Sequence, residues 1–218
     1  MAYSDRDIRL WAVETGKSVL NLKQEDQVSS LALSPDGRLL ASDVGGTAIR
    51  IWNVATGKAI HELNIDEWSV NCVTFSPDSK VLASGENRIV ENSNGVGCAI
   101  RLWDLESGKE LCLLVGHRGR IRSAAFSFDG KTLASGGDDE TVRLWNMTTG
   151  RQLRNWKGQV VSASHVVFSP DGRTVAAAGL GGNTLLWDVA TGKERWNVWI
   201  DGESLAFSPD GRTLAVGW

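Results

Sequence analysis

Ser135, His117 and Asp139 are the three side-chain types of a nucleophile, a general base and an orienting carboxylate, and all three fall between residues 117 and 139. Such a set performs acyl transfer only when the serine is exposed, its hydroxyl reaches the imidazole, and paired N–H donors await the oxyanion. The sequence carries no signal for an exposed nucleophile or for an oxyanion hole. His61 and His165 each stand alone in an apolar run and read as packing or surface residues. Cys72, Cys98 and Cys112 are odd in number and lack CxxC spacing, which predicts packing rather than a zinc or disulfide site. Gly95-x-Gly97 lacks the third glycine and the following helix of a phosphate-binding loop. Whether the serine, histidine and aspartate do chemistry therefore depends on the elements that hold them.

Those elements recur. Tryptophan returns in one local frame, RLWAVETG, RIWNVATG, RLWDLESG, RLWNMTTG and LLWDVATG, at Trp11, Trp52, Trp103, Trp145 and Trp187, with spacings of 41, 51, 42 and 42 residues. Between them falls a second motif: LSPDG from Leu33, FSPDS from Phe75, FSFDG from Phe126, and FSPDG from Phe168 and Phe207. Proline fixes φ, aspartate bonds its own backbone, and glycine or serine closes the corner, so each copy is a tight β-turn. The runs around it, such as VNCVTF and KVLASG, are short and β-branched, and form antiparallel strands a and b. The tryptophan run alternates polar and apolar residues before Thr-Gly or Ser-Gly and forms strand c. KSVLNL, KAIHEL, KELCLL, RQLRNW and KERWNVW form strand d. Four strands in each period of about 40 to 45 residues is the signature of propeller blades.

With these residues in view, the chain resembles the tryptophan-aspartate (WD) repeat family of β-propellers over nearly its whole length. The best copy runs from Gly116 to Asn146, where the resemblance assigns His117, Ser135, Asp139 and Trp145 to the family's structural hydrogen-bonded tetrad. Trp-Asp itself survives only at Trp103-Asp104 and Trp187-Asp188, and there is one Gly-His pair. Blades lacking the tetrad are still expected to pack. A buried tryptophan removes roughly 150 to 250 Å² from water, an upper bound of about 4 to 6 kcal/mol, against about 0.5 to 1.5 kcal/mol for a net hydrogen bond. The indole N–H needs an acceptor, so a self-satisfying Trp, Ser, His, Asp network accounts for the apparent triad, and no catalytic residue is assigned.

The expected fold class is all-β: a propeller of four-stranded antiparallel blades over residues 1–218 as one domain. The blades are expected near 24–65, 66–116, 117–158, 159–200, and 201–218 joined with 1–23. The closing pair follows from alignment, because Trp218 abuts the position of Asp138, which itself matches Ser4. Strands c and d at 8–23 would then complete strands a and b at 204–217, giving a five-bladed ring that leaves no sheet edge open. A closed ring is expected to be a monomer; an open one, an oligomer or part of a seven-bladed assembly. The long second period places its excess in ENRIVENSNGVGCA, residues 86–99, which is polar, Gly/Asn-rich and expected to be an irregular surface loop.

A chain of 218 residues with 42% hydrophobic content and no run near 18 apolar residues carries no transmembrane helix signal. The N-terminal residues lack a secretory pattern, and the expected location is cytoplasmic. A formal net charge of −3 argues against general nucleic-acid binding. The resemblance implies a rim of d-to-a and b-to-c connections that binds partners, here gathering Trp68, Arg118, Arg120 and Arg122, with Asn71 and Glu203 at positions matching Arg122. Tryptophan and arginine are the types enriched at binding hot spots. The expected function is a non-catalytic protein or peptide recognition scaffold, with no cofactor, metal or membrane partner. The alternatives are a small-ligand or enzymatic propeller using the central channel, for which Ser29, Asn71, Arg122, Ser164 and Glu203 are mild lining groups, and a truncated or engineered array without a partner.

Overall fold

The computed structural model describes residues 7–24, 26–65, 69–92, 95–157, 162–179 and 182–217, and the side chains of all these except 88–92, 95 and 96. Every regular element among them is a strand. Four four-stranded antiparallel sheets succeed one another along the chain. The first contains β3 (Leu31–Leu33), β4 (Leu39–Val44), β5 (Ala48–Asn53) and β6 (Lys58–Asn64); the second contains β7 (Val70–Phe75), β8 (Val81–Asn92), β9 (Gly95–Asp104) and β10 (Lys109–His117). The third contains β11 (Ile121–Phe126), β12 (Thr132–Gly137), β13 (Thr141–Asn146) and β14 (Gln152–Lys157); the fourth contains β15 (Ala163–Phe168), β16 (Thr174–Gly179), β17 (Thr184–Asp188) and β18 (Glu194–Val198). Two-stranded sheets flank them: β1 (Ile8–Ala12) with β2 (Lys17–Leu22), and β19 (Ser204–Phe207) with β20 (Leu214–Gly217).

Local chemistry explains both kinds of hairpin. In each SPDG-type turn the serine hydroxyl donates to the aspartate, as Ser34 Oγ does to Asp36 Oδ1 at 2.6 Å, while the same oxygen accepts the N–H that opens the next strand. The closing residue has positive φ, 71° at Gly37 and 61° at Ser79, the one copy without glycine. In the strand c to strand d turns, the residue after tryptophan caps the bend. Asp104 Oδ1 accepts from Ser107 N and Oγ at 2.7 and 2.6 Å, and Asn53, Asn146 and Asp188 bond their own Thr in the same way. Asparagine therefore replaces aspartate here without losing the turn.

The core is a series of slabs between sheets rather than one centre. Ile49, Ile51, Val73 and Trp103 fill the first interface; Ile100, Ile121, Leu133 and Trp145 the second; Val142, Leu144, Val166 and Trp187 the third. First strands of neighbouring sheets are also stitched together, by Ser30 Oγ to Val73 N, Ser123 Oγ to Val166 N, and His165 Nδ1 to Leu205 N. His165 is thus a cross-sheet acceptor, and burial lowers its pKa, which keeps that nitrogen free to accept.

Residues 86–99 do not form the irregular loop expected from their composition. After a register shift at Gly85, β8 and β9 continue as a ladder pairing Ile89 with Cys98, Val90 with Gly97 and Asn92 with Gly95. Ile89, Val90 and Val96 are β-branched, and such residues sustain a pleated pair among polar neighbours. At the other extreme of the architecture, β1–β2 and β19–β20 each pair only within themselves among the described residues. Trp11 is accordingly 58% exposed, whereas Trp52, Trp103, Trp145 and Trp187 are at 7% or less. Ser4 and Trp218, on which the joined fifth blade was aligned, lie outside the described residues.

Candidate functional site

The serine, histidine and aspartate do meet. His117, closing β10, sets Nε2 2.7 Å from Ser135 Oγ on β12 and Nδ1 2.9 Å from Asp139 Oδ1, and Trp145 Nε1 donates to the same Ser135 oxygen at 2.9 Å. Burial lowers the His117 pKa, an effect the bond and charge of Asp139 only partly oppose. The imidazole is thus neutral at pH 7, with its one proton on Nδ1 facing the carboxylate. Ser135 must then donate to Nε2 and accept from the indole, so every proton in the row has one direction. Burial by itself would raise the Asp139 pKa, but bonds from His117, Arg118 N and Thr141 outweigh it and hold the carboxyl well below the usual range.

This geometry is that of a relay, and its accessibility is that of a core. His117 and Ser135 have no exposed surface, and Ser135 already uses its oxygen twice. A substrate carbonyl has no approach to that hydroxyl, so the network holds strands together: it ties β10 of one sheet to β12 and β13 of the next.

Elsewhere the same core position is filled differently. Trp52 Nε1 donates to Ser42 Oγ at 3.0 Å and Gln24 Nε2 takes the histidine's place on that oxygen; Trp103 Nε1 donates to Ser84 Oγ, which bonds Glu86. Glu86, read from sequence as the start of a surface loop, has no exposed surface and forms a buried pair with Arg101, Nε to Oε1 2.9 Å. Its neighbour Gly85 ends a run, KVLASG, that matches KTLASG of the third sheet, and Glu86, two residues after Ser84, shares the face on which Ser84 meets the tryptophan. The fourth sheet has Ala177 where the others carry serine, and there Trp187 instead stacks on Trp156 at 4.9 Å.

The rim residues fare unequally. Trp68 lies outside the described residues. Arg118 and Arg120 are exposed on a turn fastened at both sides, by Arg118 N to Asp139 Oδ2 at 2.9 Å and Asp138 N to the Arg120 carbonyl at 2.9 Å. Arg122 is held by Asp138 through two bonds of 2.7 and 3.0 Å, and Ser162 Oγ donates to the same carboxylate from the next sheet. Asn71 is half-buried with Nδ2 lacking a hydrogen-bond partner, and Glu203 is exposed. Of the remaining channel-lining positions, Ser29 bonds Asp43 and Ser164 bonds the Ala178 and Gly202 carbonyls. Trp196 and Trp199 stay 52% and 83% exposed, while Trp156 donates to the Gly192 carbonyl. Among the described residues no cluster of His, Cys, Asp and Glu has the arrangement to hold a metal ion, and no helix is long and apolar enough to cross a membrane.

Comparison with known proteins agrees with the repeat geometry. The family model described as WD domain, G-beta repeat matches residues 57–104, 108–146 and 150–188, and that of the Anaphase-promoting complex subunit 4 WD40 domain matches residues 1–78. The chain is similar to Telomerase protein component 1 of Rattus norvegicus, 32% identical over 62% of this chain and 5% of the relative. It is similar to Apoptotic protease-activating factor 1 of the same species, 29% identical over 62% of this chain and 10% of the relative. It also resembles WD repeat and SOCS box-containing protein 1 of Danio rerio, 37% identical over 45% of this chain and 22% of the relative. The chain therefore spans a small part of these relatives' lengths. Three matched repeats covering more than half of its residues, together with the four-stranded sheets, establish that the chain belongs to the WD domain, G-beta repeat family.

Proposed function

We propose that this protein is a non-catalytic recognition module whose rim, centred on Arg118 and Arg120, binds another protein or peptide. The observation that carries the reading is the turn from Arg118 to Arg122. Its backbone is fastened by Asp139 and Asp138, and Ile121 between the arginines is fully buried, so two free guanidinium groups project from a fixed frame. A partner meeting such a surface spends little binding energy on ordering it. The buried network around Ser135 supports the same reading by giving the apparent triad a structural occupation. Arg122 positions this turn through Asp138 and is less available than its neighbours, while Trp68, Asn71 and Glu203 extend the proposed surface.

The test is a pull-down from native lysate with Arg120→Ala, which leaves the neighbouring Arg118 in place, as control. Loss of a partner with an unchanged melting temperature supports the assignment; equal capture by wild type and variant sinks it. Closure into a five-bladed ring by pairing β20 with β1 belongs to the same proposal, supported by the unpaired edges of both strands and by the exposed Trp11.

A further inference from the structure

Three of the four-stranded sheets carry an arginine two residues before their buried tryptophan: Arg50, Arg101 and Arg143. Two of them have dedicated carboxylates. Arg50 pairs with Glu62 at 2.8 Å, and Arg101 pairs with Glu86 at 2.9 Å and Glu110 at 3.1 Å. Arg143 has only Asp139, at 3.4 Å, and that carboxylate already accepts from His117, Arg118 N and Thr141. Arg50 draws its carboxylate from Glu62 directly opposite on strand d, where Arg143 faces Asn155, and the contrast with Arg101 lies at a second position of that strand. Strand d faces the core tryptophan with Glu110 in the second sheet and Glu194 in the fourth, but with neutral Gln152 in the third. Gln152 Oε1 accepts from Arg143 NH1 at 2.5 Å and adds no charge.

The consequence is a groove of about 760 Å³ between the end of β10 and the faces of β13 and β14, lined by Arg118, Arg143, Arg151, Lys157, Gln152 and Asn155 among others. Four cations border it against one carboxylate, Asp139. Arg143 uses three of its five N–H groups, to Thr141, Gln152 and Asp139, so two remain. Arg118, Arg151 and Lys157 are exposed and have no ion-pair partner among the described residues. Lys157 also borders the adjoining groove of Glu140 and Glu194, which leaves Arg143 and Arg151 as the centre of the positive field. A buried guanidinium with spare donors at the groove wall, beside the exposed cation of Arg151 and two side-chain amides, suits a planar or tetrahedral oxyanion.

We infer that the groove around Arg143 and Arg151 binds the oxyanion of an acidic peptide segment, at a site that shares Arg118 with the rim but is centred apart from Arg120. The test substitutes the neighbouring sheets' own solution. Gln152→Glu places beside Arg143 the carboxylate that Glu110 gives Arg101, and neutralises the site with a pair the fold already accommodates. Titration with inorganic phosphate, followed by the arginine side-chain N–H signals in a nuclear magnetic resonance spectrum, should move Arg143 and Arg151. A Glu-Gly repeat peptide should do the same and its Gln-Gly counterpart should not. Gln152→Glu, and separately Arg151→Ala, should weaken both ligands by about tenfold, the loss of roughly one charge-assisted bond. Arg120→Ala should leave them unchanged, so the groove and the rim are tested apart. Equal affinity in wild type and both groove variants overturns the site. Binding of phosphate without the Glu-Gly peptide overturns the peptide assignment.

Discussion

Trp145 and its serine show how a single residue is used twice. The indole is 2% exposed within an intersheet slab, and its N–H completes the proton row through Ser135 to His117 and Asp139. Trp145→Ala should lower stability by about 3 to 5 kcal/mol, read from chemical denaturation, since both packing and the donor to Ser135 are lost. Acid acts on the same row. His117 and Asp139 both have folded pKa values below their ordinary ones of 6.5 and 3.8, so the unfolded chain binds more protons on acidification. Their contribution is complete above 6.5, erodes as pH falls below it through His117, and erodes further below 3.8 through Asp139. In His117→Gln the first of these two losses should disappear from the melting temperature measured against pH; its persistence would assign that loss to another group. Cys72 stands outside such titration, because burial pushes its thiol up to about 12.

At the scale of elements, the turns were legible because their chemistry is local. Serine, aspartate and a left-handed closing residue recur within five positions, and every copy described bonds alike. Ser79 is the strained member at φ 61°, and its hydroxyl accepts only a long bond of 3.3 Å from Asp36 N. Ser79→Gly should therefore raise stability by up to about 1 kcal/mol in denaturant titration. The β8–β9 extension was not legible. Its apolar residues are too few to show a period against Asn and Gly, and pairing across the hairpin supplies what composition hides. Glu86, buried where the extension begins, should cost about 3 kcal/mol when replaced by alanine, the low end for breaking a buried pair, because Glu110 still partners Arg101. An unchanged midpoint in that variant would place the pair in solvent.

For the whole molecule, the deciding feature is that each sheet's core lies on its neighbour. Interior sheets are covered on both faces, and the first and last two-stranded sheets on one, which is why Trp11 differs from its four counterparts. If β20 pairs with β1, light scattering should give a monomer and deletion of residues 1–23 should collapse its stability. A discrete oligomer would sink closure within one chain. The rim arginines belong to this scale too, since Arg118 and Arg120 derive their fixed spacing from Asp138 and Asp139 on the neighbouring hairpin.

The repeat and the strand class of nearly every element were legible in the sequence, because indole spacing, turn chemistry and β-branched runs are local or periodic signals, whereas the members of the His117 network were named there through the family resemblance. Tertiary structure alone decided which polar residues are spent and which are spare. Asp139 is saturated, Arg122 is clamped, Glu86 is buried and Arg143 lacks the carboxylate its equivalents have. Those outcomes depend on which side chains reach across from another strand or sheet, a distance that no spacing along the chain encodes.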